Sequence, residues 1–432
     1  MESLGSVPGR PLERPQLRLV EPDEGWNPLL SLTQLRNVSD RRMALSLMTW
    51  NWQQPDWPHF TWDRGRLTLA EQQFLVGGGV LLGTVKHLGE EERNQLTVEA
   101  MSTEALTTSE IEGEILDRAS VQSSIQKQLG LAADNRRVGP REQGVAEMMV
   151  DLHHTFSAPL SEEMLFGWHR MLMNGSRDIK NVGRYRTSDE PMQVVSRAAG
   201  APKIHFEAPP SARIPCEMAG FIDWFARTVP GGTEPLPALT RAGAAHLYFE
   251  SIHPFEDGNG RIGRAIAEKP LAQSLGQPTL IVLAATLLAR RASYYHALET
   301  ASKRNEITDW LAWFAGITIE AQQRTLALVE FLIDKTKLFD RLEGQLNDRQ
   351  QKALLRMFRE GPEGFKGGLS AGKYSTITGA SPATATRDLV DLTEKGALTR
   401  TGELRHARYN LSVPLKPVQR VTIGKNGELV EG

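Results

Sequence analysis

The chain has 432 residues, a hydrophobic fraction of 40% and a charged fraction of 24%, which are ordinary values for a soluble protein of two or three domains. The formal net charge of −2 gives no overall attraction to nucleic acid or to a membrane surface. A single cysteine, Cys216, excludes an internal disulfide and a cysteine-rich metal site and fits a reducing cytoplasm. The apolar run at 279–289 is too short to span a bilayer, so we expect a cytoplasmic protein without membrane contact.

The N-terminal part of the chain divides into two segments of different composition. Residues 1–47 predict a poorly ordered tail, because prolines and charges interrupt any regular pattern. Residues 48–135 predict a tryptophan-rich helical region. Its tryptophans allow two interpretations, a ligand-stacking cluster or aromatic packing of a small subdomain onto helices, and the second is favoured because aromatic rings dominate core burial. They are Trp50, Trp52, Trp57 and Trp62.

Residues 136–335 predict a helical core with one interruption. Apolar residues recur at helical spacing along most of this range. Residues 193–196 and 203–206 are instead short runs of β-type residues, and they flank an Ala- and Gly-rich stretch at 197–202. The interruption therefore predicts a β-hairpin on a helical body.

The C-terminal part predicts a separate module over residues 345–412. Three helical patterns are followed by a two-stranded pattern at 398–411, which is the order found in a winged helix-turn-helix domain. Residues 413–432 are expected to form a C-terminal tail.

This module has two open interpretations. From residue 345 to the end the chain carries 14 Lys or Arg against 9 Asp or Glu, so it is mildly basic. One interpretation is DNA binding through its longest predicted helix, and the other is protein contact or dimerisation. The side chains expected at a DNA groove are Ser381, Thr384, Thr386 and Arg387.

The strongest chemical signal is His-Pro-Phe-Glu-Asp-Gly-Asn-Gly-Arg-Ile-Gly-Arg at residues 253–264. Pro254 disfavours helix at His253, so the imidazole is expected at a helix end, where it titrates near neutrality and suits a general base. Asp257 offers the hard oxygen that Mg²⁺ prefers. A base beside a metal-binding carboxylate indicates a catalytic site.

The second half of this segment predicts a phosphate-binding cradle. Gly258 and Gly260 flank Asn259 and allow positive φ, which turns successive main-chain N–H groups into one concavity. A helix that starts near Arg261 adds partial positive charge at its N-terminus. Arg261 and Arg264 lie three residues apart on one helical face, and each guanidinium can bind phosphate oxygens in a forked geometry.

Residues 253–264 match the signature of the Fic family, His-x-Phe-x-(Asp/Glu)-Gly-Asn-Gly-Arg-x-x-Arg, at every fixed position. The resemblance extends over about residues 95–330, and the tryptophan-rich segment resembles an N-terminal extension of some Fic proteins. It implies a mainly α fold: a Fic-type helical bundle with a β-hairpin flap, here followed by the winged helix-turn-helix domain.

The resemblance also implies an activity, since Fic proteins are mostly protein adenylyltransferases. His253 would deprotonate a Ser, Thr or Tyr hydroxyl of a target protein, and that oxygen would attack the α-phosphate of ATP. Asp257 would hold Mg²⁺, and Arg264 would hold the γ-phosphate. The other phosphate-binding residues would be Gly258, Asn259, Gly260 and Arg261.

Three further positions follow from the same resemblance. Tyr295 would line the adenine pocket, whereas Ser302 stands where relatives often have Asn, which leaves the nucleotide preference open. The flap at Val194 and Val195 would bind an extended target segment by adding it to the edge of the hairpin.

The segment Thr-Ser-Glu-Ile-Glu-Gly at 108–113 resembles the inhibitory motif (Ser/Thr)-x-x-x-Glu-(Gly/Asn) of Fic proteins. The resemblance implies that Glu112 pairs with Arg264 and occupies the charge that the γ-phosphate needs. Gly113 would allow close approach of the helix. Because the motif precedes the signature in the same chain, the implied subclass has an N-terminal inhibitory helix.

The sequence therefore predicts a self-inhibited protein adenylyltransferase that modifies an unknown target protein or itself. Two alternatives stay open: removal of AMP from a modified protein by the same residues, and a DNA-binding regulator whose Fic domain senses nucleotide. ATP is the expected substrate with Mg²⁺, and a homodimer is expected because relatives are often dimers.

Overall fold

The computed structural model describes residues 50–134, 136–196, 203–359, 365, 367–413 and 418–432. The predicted tail at 1–47 and the hairpin turn at 197–202 lie outside these residues. The described chain is mainly helical and carries three two-stranded antiparallel hairpins. The helices are α1 Arg64–Lys86, α2 Glu90–Ile111, α3 Arg118–Gln128, α4 Pro140–Thr155, α5 Glu162–Leu172, α6 Ile214–Arg227, α7 Ala238–Ile252, α8 Asn259–Leu275, α9 Leu283–Ala289, α10 Arg291–Ala301, α11 Thr308–Arg341, α12 Asp348–Arg359, α13 Ala371–Thr378 and α14 Pro382–Glu394. The strands are β1 Gln193–Ser196, β2 Lys203–Glu207, β3 Leu398–Thr401, β4 Arg408–Leu411, β5 Val421–Ile423 and β6 Leu429–Glu431.

Helices α7 and α8 form the centre of the molecule. Nearly every residue of α7 is buried, and α8 is buried along its first fourteen residues except for Gly260. A helix with small and apolar residues on all sides is stable only when other helices surround it. The loop between α7 and α8 is residues 253–258, so the predicted site lies between the two most enclosed helices.

The tryptophans of the N-terminal region pack in the interior, as the second interpretation predicted. Trp50 meets Phe206 of β2 edge-on at 5.4 Å, and the Nε1–H of Trp52 donates to the carbonyl of Glu207 at 2.7 Å. Trp57 packs edge-on against Tyr248 of α7 at 5.1 Å. The region therefore supports both the flap and the core.

Helix α11 continues past residue 335, where the sequence placed the end of the core. Its second half, including Leu328, Val329 and Leu332, belongs to the same apolar cluster as α12, α13 and α14. The C-terminal module is therefore joined to the core by an unbroken helix. Its order of three helices and the hairpin β3–β4 agrees with the predicted element order.

The C-terminal segment expected to be a tail instead ends in the hairpin β5–β6. Val421 and Ile423 are buried while Thr422 is exposed, and a Cβ at Gly316 of α11 would lie 2.6 Å from the carbonyl of Val421. The glycine lets the strand pack directly on α11. A three-residue strand carries too short an alternation to be recognised in the sequence.

In the part of the chain that the structure describes, no helix is both long enough and apolar enough to cross a membrane.

Candidate active site

The loop after α7 begins where the sequence predicted, but the next helix starts two residues before Arg261 and takes in Gly260, which has no positive φ. The helix ends at Ile252, and His253 adopts a left-handed conformation with φ 51° and ψ 60°. Gly258 follows with φ 82°, and α8 begins at Asn259. A bulky residue rarely adopts positive φ, so the loop is fixed by its surroundings rather than by local preference.

The side chain of Asn259 has a different role from the one that the resemblance implied. Its Oδ1 accepts from the N–H of Phe255 at 2.9 Å, and its Nδ2 donates to the carbonyl of Phe255 at 2.8 Å. The amide therefore closes the loop and is not directed at a phosphate. A contribution of Asn259 to anion binding would come from its main-chain N–H, which lies in the first turn of α8.

His253 is enclosed beside a buried cation. The Nε–H of Arg186 donates to the carbonyl of His253 at 2.9 Å, and its Nη2 donates to the carbonyl of Pro209 at 2.5 Å, so one side chain links the loop to the base of the flap. Burial, with a smaller contribution from the charge of Arg186, lowers the pKa of His253 to about 4. The imidazole is therefore neutral near pH 7 and able to accept a proton.

The N-terminus of α8 presents the features of an anion site. The first N–H groups of a helix have no acceptor within the helix and carry partial positive charge. Arg261 and Arg264 follow one turn apart, both almost completely buried. The predicted phosphate-binding residues Gly258, Gly260, Arg261 and Arg264 therefore lie together around one helix end.

Arg264 is bound by the C-terminal end of α2 and by the residue after it. Its Nε donates to Thr108 Oγ1 at 2.6 Å, and its Nη2 donates to the carbonyl of Thr108 and to Glu112 Oε1, each at 2.8 Å. Although burial opposes the charge, the carboxylate of Glu112 raises the pKa of Arg264 above its ordinary value. A Cβ at Gly260 would lie 2.2 Å from Glu112 Oε1, so only glycine leaves room for this contact.

A second acid on the same turn was missed in the sequence. Glu114 Oε2 accepts from Arg261 Nη1 at 2.6 Å, and the side chains of Glu114 and Arg261 are 15% and 4% exposed. The turn is a Schellman motif, in which Gly113 at φ 80° donates to the carbonyl of Glu110 and Glu114 donates to that of Ser109. No atom lies within 4 Å of a Cβ placed at Gly113, so its role is the positive φ and not the close approach that was predicted.

Tyr295 also lies beside the turn that follows α2 at 111–114. Its hydroxyl is 3.4 Å from the carbonyl of Ile111, and Arg291 donates to the same carbonyl at 2.9 Å. Burial, with the charge of Glu112, raises the pKa of Tyr295 to about 12. Ser302 is buried, and its hydroxyl donates to Glu299 within α10. The predicted role of Tyr295 at adenine stays a prediction.

The predicted flap is the hairpin β1–β2, held to α10 by one carboxylate. Val194 pairs with Phe206 and Val195 with Ile204, with a bulge between the two pairs. Glu299 lies 3.1 Å from Lys203 Nζ and 2.7 Å from His205 Nδ1, two residues on one face of β2. Although burial opposes it, hydrogen bonds from His205 and Lys203 lower the pKa of Glu299 to about 2.

The residues present fit a metal ion that arrives with a nucleotide. Among the described residues, no group of three or more His, Cys, Asp or Glu side chains forms a metal cage. Asp257 is 29% exposed at the mouth of the cradle. Mg²⁺ is commonly held by one or two carboxylates together with substrate phosphates and water, so Asp257 is the protein ligand expected here.

Comparison with known proteins defines the class. Residues 159–271 match the model of the Fic/DOC family, and residues 50–131 match the model described as a domain of unknown function, DUF4172. The chain therefore contains a region that matches the Fic/DOC family, preceded by a region that matches DUF4172. The resemblance found in the sequence is confirmed at this level.

A more particular similarity is to the protein adenylyltransferase fic-1 of Caenorhabditis briggsae, 29% identical over 150 residues that cover 35% of this chain. The match spans about a quarter, 25%, of that relative's length. Among solved structures, a Fic family protein from Desulfovibrio desulfuricans G20 is 22% identical with a TM-score of 0.46, and the match covers 82% of this chain and 98% of that one. A Fic domain containing signaling protein from Bacteroides thetaiotaomicron is 18% identical with a TM-score of 0.46, covering 60% of this chain and 97% of that one.

Proposed function

We propose that the protein is a self-inhibited, Mg²⁺-dependent protein adenylyltransferase that transfers AMP from ATP to a Ser, Thr or Tyr hydroxyl of a target protein or of itself. The observation that carries this proposal is the placement of His253, 16% exposed, one loop before a helix end with two buried arginines. The Fic/DOC match and the adenylyltransferase relative support the reaction class.

The proposed reaction uses the site residues as follows. The phosphates of ATP lie against the first turn of α8, Arg261 and Arg264, while Asp257 contributes a ligand for the Mg²⁺ that neutralises phosphate charge. The target hydroxyl oxygen attacks the α-phosphorus and forms the new P–O bond, the bond to the β-phosphate oxygen breaks, and pyrophosphate leaves. The hydroxyl proton passes to His253, whose neutral state near pH 7 allows it to accept.

The proposed inhibition follows because Glu112 occupies the guanidinium that the γ-phosphate needs. Arg264 gives two of its donors to Thr108 and one to the Glu112 carboxylate, so the γ-phosphate has to compete with a preformed buried ion pair. ATP that cannot reach Arg264 is held in a pose in which the α-phosphate is misplaced for attack.

Transfer from α-labelled ATP tests both parts of the proposal. Glu112→Gly is expected to raise self-modification by about tenfold or more, because release of one buried charge pair is worth several kcal/mol. His253→Ala in the Glu112→Gly background is expected to abolish transfer. Glu110→Gly is the matched control, since it makes the same change at an exposed acid of the same turn.

Two outcomes would count against the proposal. Equal transfer by the wild type and Glu112→Gly would remove the inhibitory role of Glu112. Undiminished transfer after His253→Ala would remove His253 as the base. Wild-type protein that strips AMP from the modified Glu112→Gly variant would instead favour the reverse reaction.

A further inference from the structure

One buried carboxyl group beside His253 has no role in the reaction described above. Glu250 lies one helical turn before His253 on α7, and its side chain is 14% exposed. Its Oε1 is fully enclosed and, within the part of the chain that the structure describes, has no hydrogen-bond partner. A buried polar atom without a partner is costly, so its retention here calls for a functional reason.

The fold leaves a space of the right size for this carboxyl group. A Cβ at Gly263 of α8 would lie 2.2 Å from Glu250 Oε1. The carbonyl of Gly263 is in turn within 2.8 Å of His246 Nδ1, whose Nε2 is 2.8 Å from the hydroxyl of Tyr294. Glu250 is therefore held between the catalytic loop and the helix that carries the arginines.

The carboxyl group faces one nitrogen of the catalytic imidazole. Glu250 Oε2 lies 3.7 Å from His253 Nδ1. This contact is at Nδ1, so Nε2 is the nitrogen left to face a target hydroxyl. The contact made by one ring nitrogen of a histidine determines the tautomer of the ring and the orientation of its other nitrogen.

The charges around the pair come from several elements packed against it. Arg264 of α8 and Glu112 act on Glu250, which in turn acts on Tyr294 of α10, while Arg186, Glu112 and Asp257 act on His253. Burial raises the pKa of Glu250 to about 8, with Glu112 adding to the effect and Arg264 opposing it.

We propose that Glu250 is a positioning residue for His253, which fixes the Nδ1 side of the ring and, as a carboxylate, stabilises the imidazolium formed when Nε2 takes the hydroxyl proton. The inference rests on the proposed adenylyl transfer, in which that proton leaves the oxygen as the oxygen–phosphorus bond forms and pyrophosphate departs. Glu250 itself contacts no reacting atom.

The pH dependence follows from the ionisation of this one group. At lower pH Glu250 is protonated and cannot stabilise a cation, whereas at higher pH its carboxylate faces Nδ1. The rate should therefore rise with pH through the Glu250 ionisation. A variant that cannot ionise at this position should lack this limb.

The activity test compares Glu250→Gln, Glu250→Asp and Glu268→Gln, each in the Glu112→Gly background, by initial rates from pH 6 to pH 9. Glu250→Gln is expected to lower kcat by about tenfold or more and to leave KM for ATP within about twofold. This loss is smaller than the loss expected on removal of the general base itself. The variant should also lose the rising limb, which Glu250→Asp partly restores. Glu268→Gln is the matched control, because Glu268 is another buried acid and lies further along α8.

The second test does not depend on transfer. In protein with ¹³C-labelled histidine, the ring signal of His253, assigned through His253→Ala, is followed against pH. The wild type should show a second shift near the Glu250 ionisation, and Glu250→Gln should not.

The two tests separate the two ideas. A single-step titration of His253 in the wild type, or an unchanged pH profile and kcat in Glu250→Gln, would overturn the role of Glu250. A two-step titration in a protein whose Glu112→Gly variant transfers no AMP would support the coupling and refute the proposed function.

Discussion

Two acidic residues from outside the segment at 253–264 reach the candidate site, and each forms an ion pair with one of its arginines. Glu112 binds Arg264 and Glu114 binds Arg261, so one turn places an acid on each of the two arginines proposed to bind phosphate. Both ion pairs are buried enough for the competition with an anionic ligand to be strong. Gly113 makes this double contact possible, because its positive φ directs the chain back toward α8 after Glu112.

Substitution of Glu114 should therefore release a second part of the inhibition. Glu114→Gln is expected to raise the rate of AMP transfer by several-fold and to lower KM for ATP. The Arg261 guanidinium is then no longer paired with the Glu114 carboxylate and can bind phosphate. Combined with Glu112→Gly, Glu114→Gln should exceed the single Glu112→Gly variant. Initial rates against ATP concentration measure both effects, with Glu110→Gln as the control on the same turn. If the double variant equals Glu112→Gly in rate and KM, the Glu114 contact is only structural.

At the scale of elements, helix α2, which carries the proposed inhibitory segment, contacts helix α8 through two carboxyl groups. Glu104 of α2 and Glu268 of α8 are buried against each other and hydrogen-bonded, which requires at least one proton between them. Both oxygens of Glu104 also accept from the N–H of Ala284. Burial raises the pKa of Glu104 to about 7 and that of Glu268 above its ordinary value.

The sign of the resulting pH dependence is fixed by these raised pKa values. An acid whose pKa rises on folding stabilises the fold below its unfolded value and loses that contribution as pH rises through the folded value. For Glu104 the window runs from 4.5 to about 7, which corresponds to about 3 kcal/mol at most. Glu268→Gln should remove much of the stability lost as pH rises, because the amide of a glutamine can donate a hydrogen bond to the Glu104 carboxylate.

Denaturant unfolding at several pH values measures this effect. The free energy of unfolding of Glu268→Gln should increase relative to wild type between pH 4.5 and pH 7. A constant difference across that window would show that the pair holds no extra proton in the folded protein.

The flap is the second element whose position depends on one side chain. Glu299 holds Lys203 and His205 of β2, so Glu299→Gln should loosen the hairpin while the core stays folded. Hydrogen exchange of residues 193–207 should become faster, and KM for a target protein should rise with KM for ATP unchanged. Unaltered exchange in the flap would show that the tryptophan contacts alone hold it in place.

At the scale of the whole molecule, α11 connects the catalytic core to a C-terminal module with a mildly basic sequence. The longest helix of this module, α14, turns its central acid inward, since Asp388 binds Arg349 and Tyr374, each at 2.9 Å. Thr386 and Arg387 are exposed on the other side. This arrangement favours the DNA-binding interpretation at Thr386 and Arg387, because Asp388 between them and the core is already paired.

A mobility shift with duplex DNA at several salt concentrations examines that face. The full chain is expected to bind with an affinity that falls as salt rises, and Arg387→Ala should weaken binding and reduce the salt slope. Lys425→Ala, in the turn between β5 and β6, is the control for general charge. Absence of binding at low salt, or equal loss in both variants, would favour protein contact instead.

The sequence by itself determined those structural features that depend on residues close together along the chain. The loop after α7 could be predicted because Pro254 stops α7 and Gly258 permits positive φ, whereas the bond from Asn259 back to Phe255 was not predicted. The helical body and the hairpin at 193–207 were predicted for the same reason, since periodicity acts over a few residues.

Only the tertiary structure decided which groups from distant parts of the chain share the site. Glu114 and Arg261 are 147 residues apart, and nothing in the local pattern distinguishes Glu114 from an exposed acid such as Glu110. The burial of Glu250 and the hairpin at 421–431 were likewise hidden, because both depend on glycines that admit another segment, Gly263 and Gly316. Burial and long-range electrostatic contacts arise only when distant segments pack together, so local sequence patterns do not reveal them.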